Sequence, residues 1–323
     1  MRAIANQPPR GRALIASILV LALLPLDVCD AAWQWPWQSN KAEQSKRAAL
    51  PKPHEAKPEA SKHAASKSTS VKCEPEKFKI VVDAGHTAES DGAISARNVP
   101  EFTFNLRLAR RIAERLKADG FAGTTLLVTA GKARPSLIKR AAAANRMQAS
   151  LFLSIHHDSV PDKMLEDWEF EGKKSHFNDR FSGYSLFVSR DNFDFETSLK
   201  VAKLIGRELK ARGLRYADQY TLPIMGKYRH ELLDKDVGVY RYDQLVVLKR
   251  TKMPAVLLEA GSIINRDEEV VMATPERQDL IITSIAGALG AFCGIAPPPP
   301  AAAQSRIEAP SEPPPPAAPE TPQ

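Results

Sequence analysis

Three short apolar runs in this 323-residue chain lead into side chains that can bind a metal or move a proton. Ile80-Val81-Val82-Asp83 runs into Ala84-Gly85-His86, Leu151-Phe152-Leu153-Ser154-Ile155 into His156 and His157, and Ala255-Val256-Leu257-Leu258 into Glu259. Two imidazoles and one carboxylate, with a further position open, form a common ligand set for catalytic zinc. A second, desolvated carboxylate beside such a set can serve as general base, and Glu259 has the surroundings for it. Residue type and spacing leave the ligating carboxylate open. Glu101 opens the first helix after His86, where it would also complement the helix dipole, while Glu89 and Asp91 lie in the intervening loop. His157 competes with His156, but neighbouring strand residues point to opposite faces, so one of the two reaches a given metal.

These residues need elements that bring them together. The run from Phe78 to Asp83 is short, apolar and β-branched, the pattern of a buried strand with a polar loop at its carboxyl end. Pro100 suits a first helical turn, and Phe104, Leu108, Ile112 and Leu116 follow at helical spacing until Gly120. Strands at 124–129, 151–156, 184–188 and 255–259 alternate with helices at 135–148, 196–212 and 275–292. The predicted class is α/β: one domain with a mostly parallel, mixed central sheet flanked by helices. In such sheets ligands collect outside the carboxyl ends of the strands. His86, His156 and Glu259 would therefore meet at one sheet edge. Residues 161–182 are a charged, aromatic-containing insertion and 216–242 a polar, Tyr-rich stretch that reads as a long surface loop; either could wall a cleft.

Both ends read as lying outside the domain. Arg10 and Arg12 precede an apolar run from Ala13 to Leu24 that is short for a bilayer span, so residues 1–31 are expected to be a signal peptide cut after Ala31. Lipidation at Cys29 would need a small residue where Val28 stands. Residues 32–72 form a Lys/Ala/Ser/Pro arm and 296–323 a Pro-rich tail, both expected to be disordered. The arm carries much of the formal charge of +7, so the charge says little about the domain, is weak evidence for nucleic-acid binding, and no nucleic-acid partner is expected. Weak contact of the arm with an anionic wall or membrane is the alternative to a plain tether. Residues 73–295 remain as the catalytic domain, and Cys73 and Cys293 at its edges are expected to pair in an oxidising compartment, two free thiols being the alternative.

Taken together, the run from Val81 to His86, Glu101 fifteen residues later, Ser154-Ile155-His156, and the run from Pro254 to Glu259 with Asn265 resemble the motif blocks of zinc-dependent N-acetylmuramoyl-L-alanine amidases of type 3. The resemblance spans about residues 79–292 and includes Leu137, Arg140 and Ala144-Asn145. It implies a zinc exopeptidase-like fold, Zn2+ held by His86, Glu101 and His156, and Glu259 as the catalytic carboxylate. It further implies hydrolysis of the bond between N-acetylmuramic acid and L-alanine in peptidoglycan. Export is expected from the signal-like start, and the periplasm is the expected compartment because no surface anchor is evident. In some similar amidases an inserted helix blocks the zinc until a protein activator binds, which gives residues 216–242 an autoinhibitory reading. Thr87-Ala88 stand in place of the usual paired glycines, Ser262 in place of an aromatic, and Thr129-Ala130 in place of Thr-Arg. Those positions shape the cleft rather than the metal set. Two rival functions remain, a zinc exopeptidase or other amidohydrolase on soluble peptides, and a non-catalytic wall-binding protein. The second is disfavoured by the intact four-residue set.

Overall fold

The computed structural model describes residues 73–295. The expected signal peptide, arm and tail lie outside the described residues. Strand β1 (Ile80–Ala84) is buried at every position, as its β-branched run demands. Helix α1 (Glu101–Ala118) buries Phe104, Leu108, Ile112 and Leu116 on one face. Pro100 precedes it as the N-cap instead of entering the first turn, and Gly120, at φ 94°, takes the left-handed turn that ends it. Strand β2 (Thr125–Leu127) and helix α2 (Ala133–Arg146) follow, then strand β3 (Leu151–Asp158), again buried throughout.

The insertion at 161–182 is structured. Its strands β4 (Glu166–Phe170) and β5 (Lys173–Phe177) form a separate antiparallel hairpin. Strand β6 (Ser185–Val188) and helix α3 (Phe195–Ala211) come next. The stretch 216–242 differs from expectation. After two 3-10 turns it supplies strands β7 (Glu231–Asp234) and β8 (Val239–Arg241) to the main sheet, and it contains no long helix. Both stretches lack the long apolar alternation of the central strands, which is why neither reads as β structure in sequence. Helix α4 (Val246–Lys249), strand β9 (Ala255–Ser262), helix α5 (Arg266–Met272) and helix α6 (Pro275–Phe292) complete the domain.

The main sheet has the order β2-β1-β3-β9-β6-β8-β7. Pairs β2/β1, β1/β3, β3/β9 and β6/β8 are parallel, whereas β6/β9 and β8/β7 are antiparallel. One face buries Ile80, Leu153, Leu186 and Leu258 against α1, α3 and α6. The other buries Phe152, Phe187, Tyr240 and Leu257 with Val247 and Leu248 of α4 and Ala144 of α2. Cys73 and Cys293 are joined by a disulfide with Cα atoms 4.8 Å apart, as expected from their positions.

On the outer part of the sheet, His230 packs between Tyr220 and Tyr242, with ring centroids at 5.4 and 4.4 Å, and its Nδ1 faces the Arg241 carbonyl oxygen at 3.1 Å. Burial pushes its pKa down to about 4, while the unfolded chain takes up this proton near 6.5. Between those values the unfolded state binds more protons, so stability falls as pH drops from 6.5 towards 4. The loss attributable to His230 has a ceiling of about 3 kcal/mol. Urea melts at pH 7.5 and 4.5 should show a smaller difference in a His230→Gln variant than in the wild type. Equal differences would remove His230 as a source.

Candidate active site and metal centre

At the carboxyl end of β1, the parallel neighbour β3 and the first turn of α1, three side chains come together. His86, Glu101 and His156 are all buried, and their candidate ligand atoms lie within 4.8 Å of one another. His86 Nε2 is 3.0 Å from Glu101 Oε2, and His156 Nδ1 is 3.0 Å from Glu101 Oε1. Bonds of 2.0–2.1 Å to a tetrahedral metal would place ligand atoms about 3.3 Å apart, so these separations are close to those of a ligand set. Of the three candidate carboxylates, Glu101 is the one that stands beside both histidines. Glu89 instead accepts from the Gly131 N–H at 2.9 Å, and Asp91 is exposed in the loop.

Glu101 is completely buried and heavily supported. It accepts from the Ala93 N–H at 3.0 Å, from Asn105 Nδ2 at 2.9 Å and from the His157 N–H at 3.3 Å. Burial by itself would raise its pKa, but the neighbouring His86 ring and the hydrogen bond with His156 outweigh it and hold the carboxyl well below 4.5. Burial pushes His156 down to about 4 and His157 to about 3, so both rings are neutral at pH 7, as an imidazole ligand must be. His157 turns away, with Nδ1 2.7 Å from Asn105 Oδ1 and its ring against Phe104. The opposite-face argument therefore separates the two histidines correctly.

Asn105 is a supporting residue that sequence reasoning missed. It bonds Glu101, the Gly85 carbonyl oxygen and His157 together. Its signal was available, since it lies four residues after Glu101 and so on the same helical face. Gly92 had no such signal. It sits at φ 84°, where an added Cβ would lie 2.4 Å from Glu101 Oε2 and 2.8 Å from His86 Cδ2. Gly92→Ala is therefore expected to weaken metal binding at least tenfold and to destabilise the fold by more than about 1 kcal/mol. Chelator-competition titration and thermal melting would measure both. Wild-type affinity in the variant would show that the loop can move aside without disturbing the ligands.

Glu259 lies within β9, not at its end, because Ala260 to Ser262 continue the strand across a bulge opposite Asp158. It is paired in register with His156 on one side and Ser185 on the other, placing it on the same sheet face as His156. Its Oε2 is buried without a hydrogen-bond partner. Burial first, then the charges of Asp158 and Glu101, raise its pKa well above 4.5. Asp158 stands close by, raised to about 7 mainly by burial, and accepts hydrogen bonds from Tyr220 Oη at 2.6 Å and Gln219 Nε2 at 3.1 Å. Through these bonds the stretch 216–242 is tied to the site's edge. Asn265, by contrast, caps α5 by accepting from the Asp267 and Glu268 N–H groups.

A buried His/Glu/His group gathered from the loop after β1, the first turn of α1 and β3, beside a carboxyl group poised to exchange a proton, is the equipment of a metal-assisted hydrolase. The comparisons with known proteins narrow this class. A family model described as N-acetylmuramoyl-L-alanine amidase matches residues 80–291, more than half of the chain. The protein belongs to that family. A Buchnera aphidicola subsp. Baizongia pistaciae protein, provisionally named N-acetylmuramoyl-L-alanine amidase, is 25% identical over 214 residues, covering 65% of this chain and 94% of the relative. N-acetylmuramoyl-L-alanine amidase AmiC of Escherichia coli O6:H1 is also 25% identical, over 66% of this chain and 52% of its own length. Among solved structures, an N-acetylmuramoyl-L-alanine amidase from Clostridium difficile 630 matches with TM-score 0.51 and 20% identity, covering 67% of this chain and 97% of its own. Ami1 from Mycobacterium smegmatis matches with TM-score 0.50 and 20% identity, covering 68% and 97%. These two likenesses establish the shared fold.

Proposed function

We propose that this protein hydrolyses the amide bond between N-acetylmuramic acid and L-alanine of peptidoglycan, with zinc held by His86, Glu101 and His156 and with Glu259 as general base. The observation that carries the reading is the register pairing of Glu259 with His156, which sets a carboxyl of raised pKa beside a buried ligand triple. Zinc in this position would polarise the scissile carbonyl and lower the pKa of an attacking water. Glu259 takes the proton of that water and passes it to the departing L-alanine nitrogen. Its raised pKa suits both transfers, because the group must release the proton as readily as it accepts it. Asn105 and the Ala93 N–H keep Glu101 ionised and oriented, and the neutral His156 ring keeps a lone pair free.

Export to the periplasm is part of the proposal, supported by the signal-like start of the chain and by the Cys73–Cys293 disulfide, which suits an oxidising compartment. The tether of Tyr220 and Gln219 to Asp158 offers a place where a protein activator could act on the cleft, since whatever moves that segment also moves a group beside Glu259.

The direct test is release of stem peptide from purified peptidoglycan by the full chain. Chelation should abolish release and stoichiometric zinc should restore it. Cleavage of unrelated soluble peptides at comparable rates would favour the exopeptidase alternative. Zinc binding without any turnover would leave a wall-binding role or a missing activator.

A further inference from the structure

Arg140 and Asp83 are charged side chains that no step above uses, yet both are buried against the site, with 1% and 0% of their surface exposed. Arg140 reaches from α2 to the loop end of β1, where its Nη2 donates to the His86 carbonyl oxygen. Its Nε lies 3.7 Å from Asp83 Oδ1, and the other Asp83 oxygen accepts from Ser154 Oγ at 2.7 Å. The chain between these contacts is sharply bent. His86 has φ 67°, the left-handed region that residues with a Cβ seldom enter. Gly85 before it cannot carry a side chain, because a Cβ there would lie 2.4 Å from the His156 ring.

This bend decides where the first imidazole points. Turning His86 to the left-handed conformation aims its carbonyl into the protein, where a donor has to meet it. A guanidinium suits the task, since its planar fork can serve a carbonyl oxygen and a carboxylate together, which an ammonium on a flexible stem cannot. Asp83 sets an acidic group against the buried guanidinium, the companion that a buried cation requires. We propose that Arg140, anchored by Asp83, is a positioning residue that locks the backbone of His86 in its left-handed turn and so aims the imidazole at Glu101 and His156. This rests on the zinc reading given above.

The test uses the full chain as wild type, Arg140→Lys, Asp83→Asn and Ile285→Ala, the last a buried core change on the opposite side of the sheet. Zinc affinity is read by competition with a chromophoric chelator, ligand geometry by the absorption spectrum of the cobalt-substituted protein, and stability by melting of the metal-free form. Arg140→Lys should bind zinc about 10–100-fold more weakly and alter the cobalt spectrum. Asp83→Asn should weaken binding in the same direction, and Ile285→Ala should lower the melting temperature with zinc affinity within twofold of wild type. Folded Arg140→Lys binding within twofold of wild type would overturn the proposal, as would equal weakening by Ile285→Ala. If Arg140→Lys fails to fold, Asp83→Asn decides by the same twofold criterion. A wild type that binds no zinc would sink the metal reading and this inference with it, whereas tight zinc binding by wild type and variants alike sinks this inference alone.

Discussion

Glu259→Gln is expected to lower the rate of stem-peptide release by about 10²–10⁴-fold while the protein still binds one zinc ion. Glutamine preserves the shape of the side chain but can neither take a proton from water nor return one to the leaving nitrogen. None of the three candidate ligands is touched, so metal affinity should stay near wild type. The same change should stabilise the fold. In the wild type a buried carboxyl oxygen lies without a partner beside Asp158 and Glu101, and ionising it there is unfavourable. A neutral amide removes that repulsion, so the melting temperature should rise as activity disappears, the trade-off expected of a strained catalytic group. Peptide release measured beside zinc stoichiometry and melting would settle the assignment. Retention of activity within tenfold would require another general base.

Converting both Cys73 and Cys293 to serine is expected to cost about 2–5 kcal/mol of stability, because the bond closes a very long loop. The sequence separation is 220 residues, which spans nearly the whole described domain. Without the bond, the segment before β1 and the end of α6 would be held by packing, notably Phe78 against Phe121 and Phe292. Zinc affinity should not change, since the site lies at the opposite, carboxyl end of β1. Urea unfolding of the oxidised wild type against the double variant would measure the loss. A difference below about 1 kcal/mol would mean that the unfolded chain is already compact enough for the closure to matter little.

The pattern of what can be read in sequence follows from the range of the forces involved. A buried parallel strand must be apolar over its whole length, and a helix against a sheet must repeat its apolar residues every three or four positions. The strand leading to His86, the strands bearing His156 and Glu259, and helices α1, α3 and α6 are therefore legible in the order of residue types alone. So is the choice between His156 and His157 once a strand is granted, because alternation of faces is local geometry. Strands β4, β5, β7 and β8 are not legible in this way. They are short, β4, β5 and β7 are largely exposed or half-exposed, β8 is only three residues long, and all four form where a partner strand offers its hydrogen-bonding edge. Local sequence holds no information about that edge.

The chemistry divides in the same way. Residue types, strand ends and the family motifs are enough to name His86, Glu101, His156 and Glu259, though spacing alone leaves Glu101 level with Glu89 and Asp91. Folding separates them by bringing the Ala93 N–H, the His157 N–H and Asn105 onto Glu101 while Glu89 is drawn to Gly131. Gly92, the Arg140–Asp83 pair and the Tyr220–Asp158 tether likewise depend on contacts between segments far apart in the chain. Which groups can do the chemistry is written in their types and periodicity. Their orientation, protonation and support arise only when distant segments exclude water from one another.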